Sequence, residues 1–252
     1  CEYRGVTHDD HEIVIEMKIK KTRYDGKMVI IGICRDITER LAIEKKMRQK
    51  ERMAAIADLA SGPGSPYIIS DEIYHGLVYE GKEHSILEYT QKAFVFNGFS
   101  KLYAMTGLRL GYMIAPKHFI RPMQKIQQNF FISANAMVQV AGIAALTKAE
   151  KDILEMKRIY NKRRLYMIKR LKELGLGITV EPTGAFYVFA NAKHISNDSY
   201  GLAFDILEKA HVGVSPGIDF GKYGEGYLRF SYATSMENIT EGMDRLENYL
   251  KM

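Results

Sequence analysis

Apolar and polar positions alternate with period two over the first part of the chain and shift to a helical period after it. Glu2 to Thr7, Glu12 to Lys20 and Met28 to Cys34 read as strands. The polar turns His8-Asp9-Asp10-His11 and Tyr24-Asp25-Gly26-Lys27 separate them, the second with the Asp-Gly pair that favours a hairpin. Residues 1–37 are therefore expected to form a three-stranded antiparallel meander. From Thr38 the period lengthens, with Leu41, Ile43, Met47, Met53, Ile56 and Leu59 as an apolar stripe among charges and Thr38 as N-cap. This helix occupies 38–62, and Pro63-Gly64-Ser65-Pro66 breaks it.

Beyond that junction, short apolar runs and longer helical stretches alternate, the pattern of an α/β chain. Tyr67 to Ile69, Ala93 to Phe96 and Leu110 to Ala115 read as strands, and Phe119 to Leu146 as helix. Lys148 to Leu174 is a long amphipathic helix with Ile153, Leu154, Met156, Tyr160, Leu165, Ile168 and Leu171 on its apolar side. Strands at Ile178 to Val180 and Ala185 to Phe189 flank Pro182-Thr183-Gly184. A helix at Tyr200 to Ala210, strands at Val212 to Val214 and Tyr227 to Tyr232, and a closing helix at Met236 to Leu250 complete the pattern. The expected units are 67–146 and 147–252.

Composition narrows the classes. A hydrophobic share of 46% over 252 residues suits a globular chain with a sizeable core, and no apolar run is long enough to span a membrane. Net charge is +6, with both signs interspersed. The cations of the long helix, Lys157, Arg158, Lys162, Arg163, Arg164, Lys169 and Arg170, read as a solvated face rather than a nucleic-acid surface. Cys1 and Cys34 form neither a metal nor a disulfide framework, which points to a reducing cytoplasm. Starting at Cys1 without methionine, the chain reads as a fragment, a processed product or an incomplete reading frame.

Chemistry concentrates at one lysine. Lys101 follows a strand in Asn97-Gly-Phe-Ser-Lys101, at the carboxyl end where open α/β sheets place ligands, and Arg109 lies eight residues on. A partly desolvated lysine can form a Schiff base with an aldehyde, and an arginine can hold an anion; pyridoxal phosphate carries both groups. Asp71, after Tyr67-Ile68-Ile69-Ser70, ends another strand, where a carboxylate could pair with a pyridinium nitrogen.

Taken together, Asp71-Glu-Ile-Tyr74, Asn97-Gly-x-x-Lys101, Ala104-Met-Thr-Gly-x-Arg109-x-Gly-Tyr112 and Tyr227-Leu-Arg229-Phe-Ser resemble the class I/II pyridoxal-phosphate aminotransferases of fold type I, over about 67–252. The resemblance implies the C-terminal half of a large domain with a mixed, mostly parallel sheet over 67–146, and a small α+β domain over 147–252. It also implies pyridoxal 5'-phosphate as cofactor, amino acids and 2-oxo acids as substrates in ping-pong amino transfer, and a homodimer. Lys101 would carry the Schiff base and move the proton. Asp71 would bind the pyridine nitrogen, Tyr74 the cofactor O3′, Arg109 the phosphate and Arg229 the substrate α-carboxylate. Ser215-Pro216-Gly217 and Phe220-Gly221 would form the small domain's loop facing the site.

The first part resembles something else. Gly32-Ile-Cys-Arg35-Asp36-Ile37-Thr38-Glu39-Arg40 is similar to the end of a PAS domain with its PAC segment, and Glu51 to Gly62 to the first dimerisation helix of sensor histidine kinases, without the phosphoacceptor histidine. The chain thus reads as a chimera or truncation whose aminotransferase part lacks the first half of its fold, with impaired activity. The alternatives are a PAS-type signalling fragment or a chimera with no catalytic activity.

Overall fold

The computed structural model describes residues 2–6, 12–24 and 27–252. Two compact units emerge, Cys1–Ile68 with Ile86–Lys92, and Ile69–Ser85 with Ala93–Met252.

In the first unit β1 (Glu2–Val6), β2 (Glu12–Tyr24) and β3 (Lys27–Asp36) form an antiparallel meander in that order. Tyr3 faces Ile15 and Met17 faces Cys34 in register. The second and third strands are longer than alternation alone suggests, because backbone pairing continues through the charged stretch Lys20-Lys21-Thr22-Arg23. The expected turns at His8 to His11 and at Asp25-Gly26, and the cysteine reading at Cys1, lie outside the described residues.

The helix α1 (Thr38–Leu59) departs from expectation at its cap. Thr38 is its first turn rather than its N-cap: Asp36 Oδ1 accepts from the Thr38 backbone N at 2.9 Å and from its hydroxyl at 2.6 Å. The Thr38 hydroxyl in turn accepts from Val14 N at 2.8 Å, and Ile37 N donates to Val14 O at 2.8 Å, tying the helix start to β2. The expected apolar stripe is not a buried one. Ile43, Met47, Ile56 and Leu59 are exposed, whereas the small residues Ala57 and Ala60 are buried.

In the second unit β4 (Ile68–Asp71), β5 (Ala93–Gly98) and β6 (Gly111–Ile114) form a sheet in that order. Hydrogen bonds from Ile68 N to Lys92 O and from Glu72 N to Phe96 O advance the same way along both strands, so β4 and β5 run parallel. β5 and β6 are antiparallel, because the loop 99–110 returns directly without a crossover. The sheet is mixed as expected but not mostly parallel. β5 buries Ala93 and Val95 while Phe96 stays exposed, so it is covered on one face rather than buried on both.

The helices α2 (Lys117–Phe130), α3 (Ala136–Lys148) and α4 (Glu150–Glu173) follow. Next come β7 (Tyr187–Asn191), α5 (Ser199–Ala210), β8 (Ser215–Pro216), β9 (Tyr227–Ser231) and α6 (Met236–Leu250). The three strands form an antiparallel sheet in the order β7-β9-β8. Two expected strands are displaced. Residues 178–180 are not paired as a strand: only Gly177 bridges to Asn191, after which Tyr79 and Glu80 draw the backbone away by donating to Thr183 O. Pairing with β9 falls on Ser215–Pro216 instead of 212–214, because the left-handed His211 ends α5 and the following residues serve as its link.

The core of this unit is the period-two inner face of the sheet, Val188 and Ala190 with Leu228 and Phe230, packed against Met167, Ile168 and Leu171 of α4, Leu202 and Ile206 of α5, and Ile239, Met243 and Leu246 of α6. Burial of each large apolar side chain contributes roughly 1.5–3 kcal/mol. Of the α4 cations, Arg164 is not solvated. It is buried and donates to Pro182 O at 2.6 Å, to Asn161 Oδ1 at 2.9 Å and to Glu80, while Arg170 pairs with Asp244 and Glu247, both at 2.9 Å. Leu154 and Leu165, expected on the apolar side, are exposed.

Candidate active site

The parallel pairing of β4 with β5 puts both carboxyl ends at one sheet edge. Asp71 is the last residue of β4, and Lys101 follows the last residue of β5, Gly98, by three positions. Gly98 is required there: a Cβ would stand 3.0 Å from Gly111 Cα and 3.0 Å from Leu110 O, across the neck of the loop. Phe99 N to Leu110 O at 3.1 Å and Met105 N to Phe99 O at 3.2 Å close that loop from inside. Ala104 and Arg109 take left-handed backbone angles, φ 52° and 56°, in this short return, a strain of the sort that clusters at functional loops.

Lys101 is half-buried, and its Nζ lies 5.7 Å from the ring centres of both Tyr74 and Phe186. Among the described residues no hydrogen bond or carboxylate engages it. The amine is thus held by aromatic faces and left chemically free. Tyr74 and Phe186 meet edge to face at 5.5 Å, and the Tyr74 hydroxyl lies 3.4 Å from that of Tyr187. Burial, then the Tyr187 hydroxyl, pushes the Tyr74 pKa well above the ordinary phenol value, with Arg229 opposing and Asp71 adding to the rise. Tyr74 therefore stays a protonated donor at neutral pH, in electrostatic reach of both Asp71 and Arg229.

Arg229 follows from strand alternation. Leu228 and Phe230 point into the core, which turns Arg229 to the opposite face of the sheet with Tyr187 and Phe189. Its guanidinium carbon lies 4.2 Å from the Tyr187 ring centre and 4.4 Å from that of Phe220, and one terminal nitrogen donates to Ser215 Oγ at 3.3 Å. No carboxylate pairs with it among the described residues. A half-buried guanidinium without an anion is costly, which marks this as a seat for an anionic ligand. Phe220 ends a short turn, Gly217–Phe220, whose start is pressed against Gly224: a Cβ on Gly217 would lie 2.0 Å from Gly224 O.

The other two expected residues are placed differently. Asp71 is exposed, and its Oδ1 accepts from Ile73 N at 3.1 Å, a local turn bond that leaves its second oxygen available. Arg109 is exposed, donates to Thr106 O at 2.8 Å and lines a cleft with Ser133, Asn135 and Gln127. No hydrogen bond or ion pair joins Arg109 to Asp71, Tyr74, Lys101 or Arg229. The structure thus brings Lys101, Tyr74 and Arg229 into one aromatic cluster with Asp71 beside it, and leaves Arg109 in a neighbouring cleft. His75 is structural, with Nδ1 3.3 Å from Glu72 Oε2. Phe186 and Tyr187 were legible in sequence only as part of a strand. Their signal is the aromatic pair directly after Gly184-Ala185, where Ala185 adopts φ 58°.

Known proteins agree with this architecture. The family model described as aminotransferase class I and II matches residues 49–246, beginning inside α1. The (5-formylfuran-3-yl)methyl phosphate transaminase of Methanocaldococcus jannaschii is 46% identical over 189 residues, 73% of this chain and 50% of that protein. An aspartate aminotransferase of Pyrococcus horikoshii is 44% identical over 207 residues, 80% of this chain and 52% of its own. The crystal structure of an aromatic aminotransferase from Pyrococcus horikoshii superposes with a TM-score of 0.75 at 38% identity, covering 80% of this chain and 55% of that one. The chain spans about half the length of the curated relatives it matches. It belongs to the class I and II aminotransferase family.

Proposed function

We propose that the chain transfers amino groups between an amino acid and a 2-oxo acid, holding pyridoxal 5'-phosphate covalently through Lys101. The observation that carries this is the free Lys101 amine, set between two aromatic rings at the edge where Asp71 ends its strand. Three side chains fit the group: an amine for the aldehyde, the open oxygen of Asp71 for the pyridine nitrogen and the protonated phenol of Tyr74 for O3′; Arg109, in its own cleft, is the candidate for the phosphate by resemblance alone. When bound, the cofactor supplies an electron sink for the charge left on removal of an α-proton. Lys101 Nζ takes that proton and returns it, and the aromatic walls from Tyr74 and Phe186 limit water around it. Arg229 holds the substrate carboxylate through its exposed edge.

For residues 1–62 the PAS/PAC and signalling-helix reading rests on sequence resemblance alone, and the aminotransferase family match, which begins at residue 49, already takes in the end of α1. Amino transfer is the test of the main reading. Purified chain supplied with pyridoxal phosphate, a panel of amino acids and 2-oxoglutarate is expected to form glutamate, and the Lys101→Ala variant is not. Equal formation by both would refute it.

A further inference from the structure

Arg229 sits on the middle strand of its sheet, directly opposite Phe189 on one side and Ser215 on the other. Tyr187 faces Ser231 in register, which makes it the diagonal neighbour of Arg229 on the same face. The guanidinium carbon lies over its ring, 4.2 Å from the centre, and over that of Phe220 at 4.4 Å. Two ring faces thus bound the guanidinium, and Ser215 takes one terminal nitrogen, which leaves the other N–H groups for a ligand. A carboxylate binds a guanidinium in its plane, through two parallel N–H bonds, so whatever sets the plane sets the orientation of the bound acid. The Tyr187 ring is itself held at its far end, where its hydroxyl lies 3.4 Å from that of Tyr74, and its ring packs edge-on against Tyr74 at 6.1 Å. Tyr74 in turn faces the Lys101 amine.

We propose that Tyr187 is a positioning residue of this site: its ring face fixes the plane of Arg229, and through Tyr74 it locks the carboxylate seat to the lysine in one frame. This rests on the reading of Arg229 as a carboxylate seat. It assigns the work to the ring and not to the hydroxyl alone, since Phe220 and Tyr187 act on Arg229 through their faces. An unstacked guanidinium on a flexible stem would sample many planes and bind the same acid less tightly.

The test uses the full chain, with the Arg229 Nε–Hε signal followed by NMR and assigned by its loss in Arg229→Met. The carboxylate probe is 3-phenylpropanoate, titrated without cofactor. In the unmodified chain the Arg229 signal is expected well upfield of the exposed arginines, because two ring faces shield it; a signal among theirs would overturn the proposal without any variant at Tyr187. Tyr187→Leu is expected to move the signal downfield and weaken the probe about tenfold, whereas Tyr187→Phe keeps both, with affinity within about twofold. Unchanged affinity in Tyr187→Leu, with loss in Arg229→Met, would overturn the role of Tyr187 and spare the seat. Equal losses in the Phe and Leu variants would move the effect to the hydroxyl and overturn the ring assignment. Probe binding that survives Arg229→Met would overturn the seat and the proposal with it.

Discussion

Arg164 illustrates what periodicity can and cannot reveal about a single side chain. Seven cations along α4 look alike in sequence, yet Arg164 is 1% exposed and satisfies Pro182 O, Asn161 and Glu80 while its carbon lies 5.5 Å from the Tyr79 ring centre. Asn161 is a neighbour on the same helix, but Pro182 and Glu80 come from other parts of the chain, so no local pattern could identify it. Arg164→Met is expected to lower stability by about 3 kcal/mol, since it removes a buried guanidinium's hydrogen bonds to Pro182 O, Asn161 and Glu80, and urea unfolding measures this. Glu80→Gln should cost less, because Glu80 is half-exposed and can turn to water. Lys101, Asp71, Tyr74, Arg109 and Arg229 stand out as candidates in the sequence because their spacing is carried by short contiguous motifs, and of these Lys101, Tyr74 and Arg229 meet one cluster of aromatic rings in the structure. Phe186 and Tyr187 were not assigned roles, and Ser215 only a place in a loop, because their contacts with Lys101 and Arg229 emerge only when β7, β8 and β9 lie side by side.

Among the elements, α6 was read to the residue, with Ser235 accepting from Asn238 N at 3.2 Å as its cap, whereas the single helix expected over 119–146 is two, α2 and α3, because Asn135 caps a new helix by accepting from Met137 N at 2.9 Å. The short strands slipped, because their pairing depends on which neighbour offers a free edge. The start of α5 carries a measurable signature. Glu225 accepts from Ser199 N at 2.6 Å and from Gly226 N at 3.0 Å, and these bonds, that of Ser199 foremost, hold its pKa below the ordinary glutamate value of 4.5. A carboxylate depressed in the folded state stabilises fully above its unfolded pKa and loses that contribution as pH falls through the lower folded value. Stability measured by thermal unfolding is therefore expected to decline below about pH 4.5 with a slope that Glu225→Gln reduces. An unchanged acid limb in the variant would show that the α5 anchor lies elsewhere.

At the scale of the molecule, apolar surface is the main feature left to explain. Phe130, Phe131 and Ile132 at the end of α2, and Met137, Val140, Ile143 and Leu146 on successive turns of α3, are all exposed. Exposed apolar area on this scale favours association. We expect self-association of the chain, in keeping with the homodimer implied by its resemblance, visible as a concentration-dependent mass in light scattering and weakened by Ile143→Lys. A constant monomer mass would contradict it. Among the described residues no helix is long and apolar enough to cross a membrane. The expected boundary between 146 and 147 does not separate compact units, since Ile69–Ser85 and Ala93–Met252 cluster as one, whereas the α/β class was legible in the sequence. The one-sided covering of β5 was not, because strand composition reports apolar character and not what lies against it.

Under the proposed function, Lys101 is a reactive amine prepared for an aldehyde. The most direct measurement incubates the chain with pyridoxal phosphate, removes free cofactor, reduces with borohydride and maps modified lysines by mass spectrometry, with Lys101→Ala as control. Label is expected to concentrate on Lys101 and to be lost in the variant. Label spread evenly over surface lysines, and unchanged in Lys101→Ala, would contradict it.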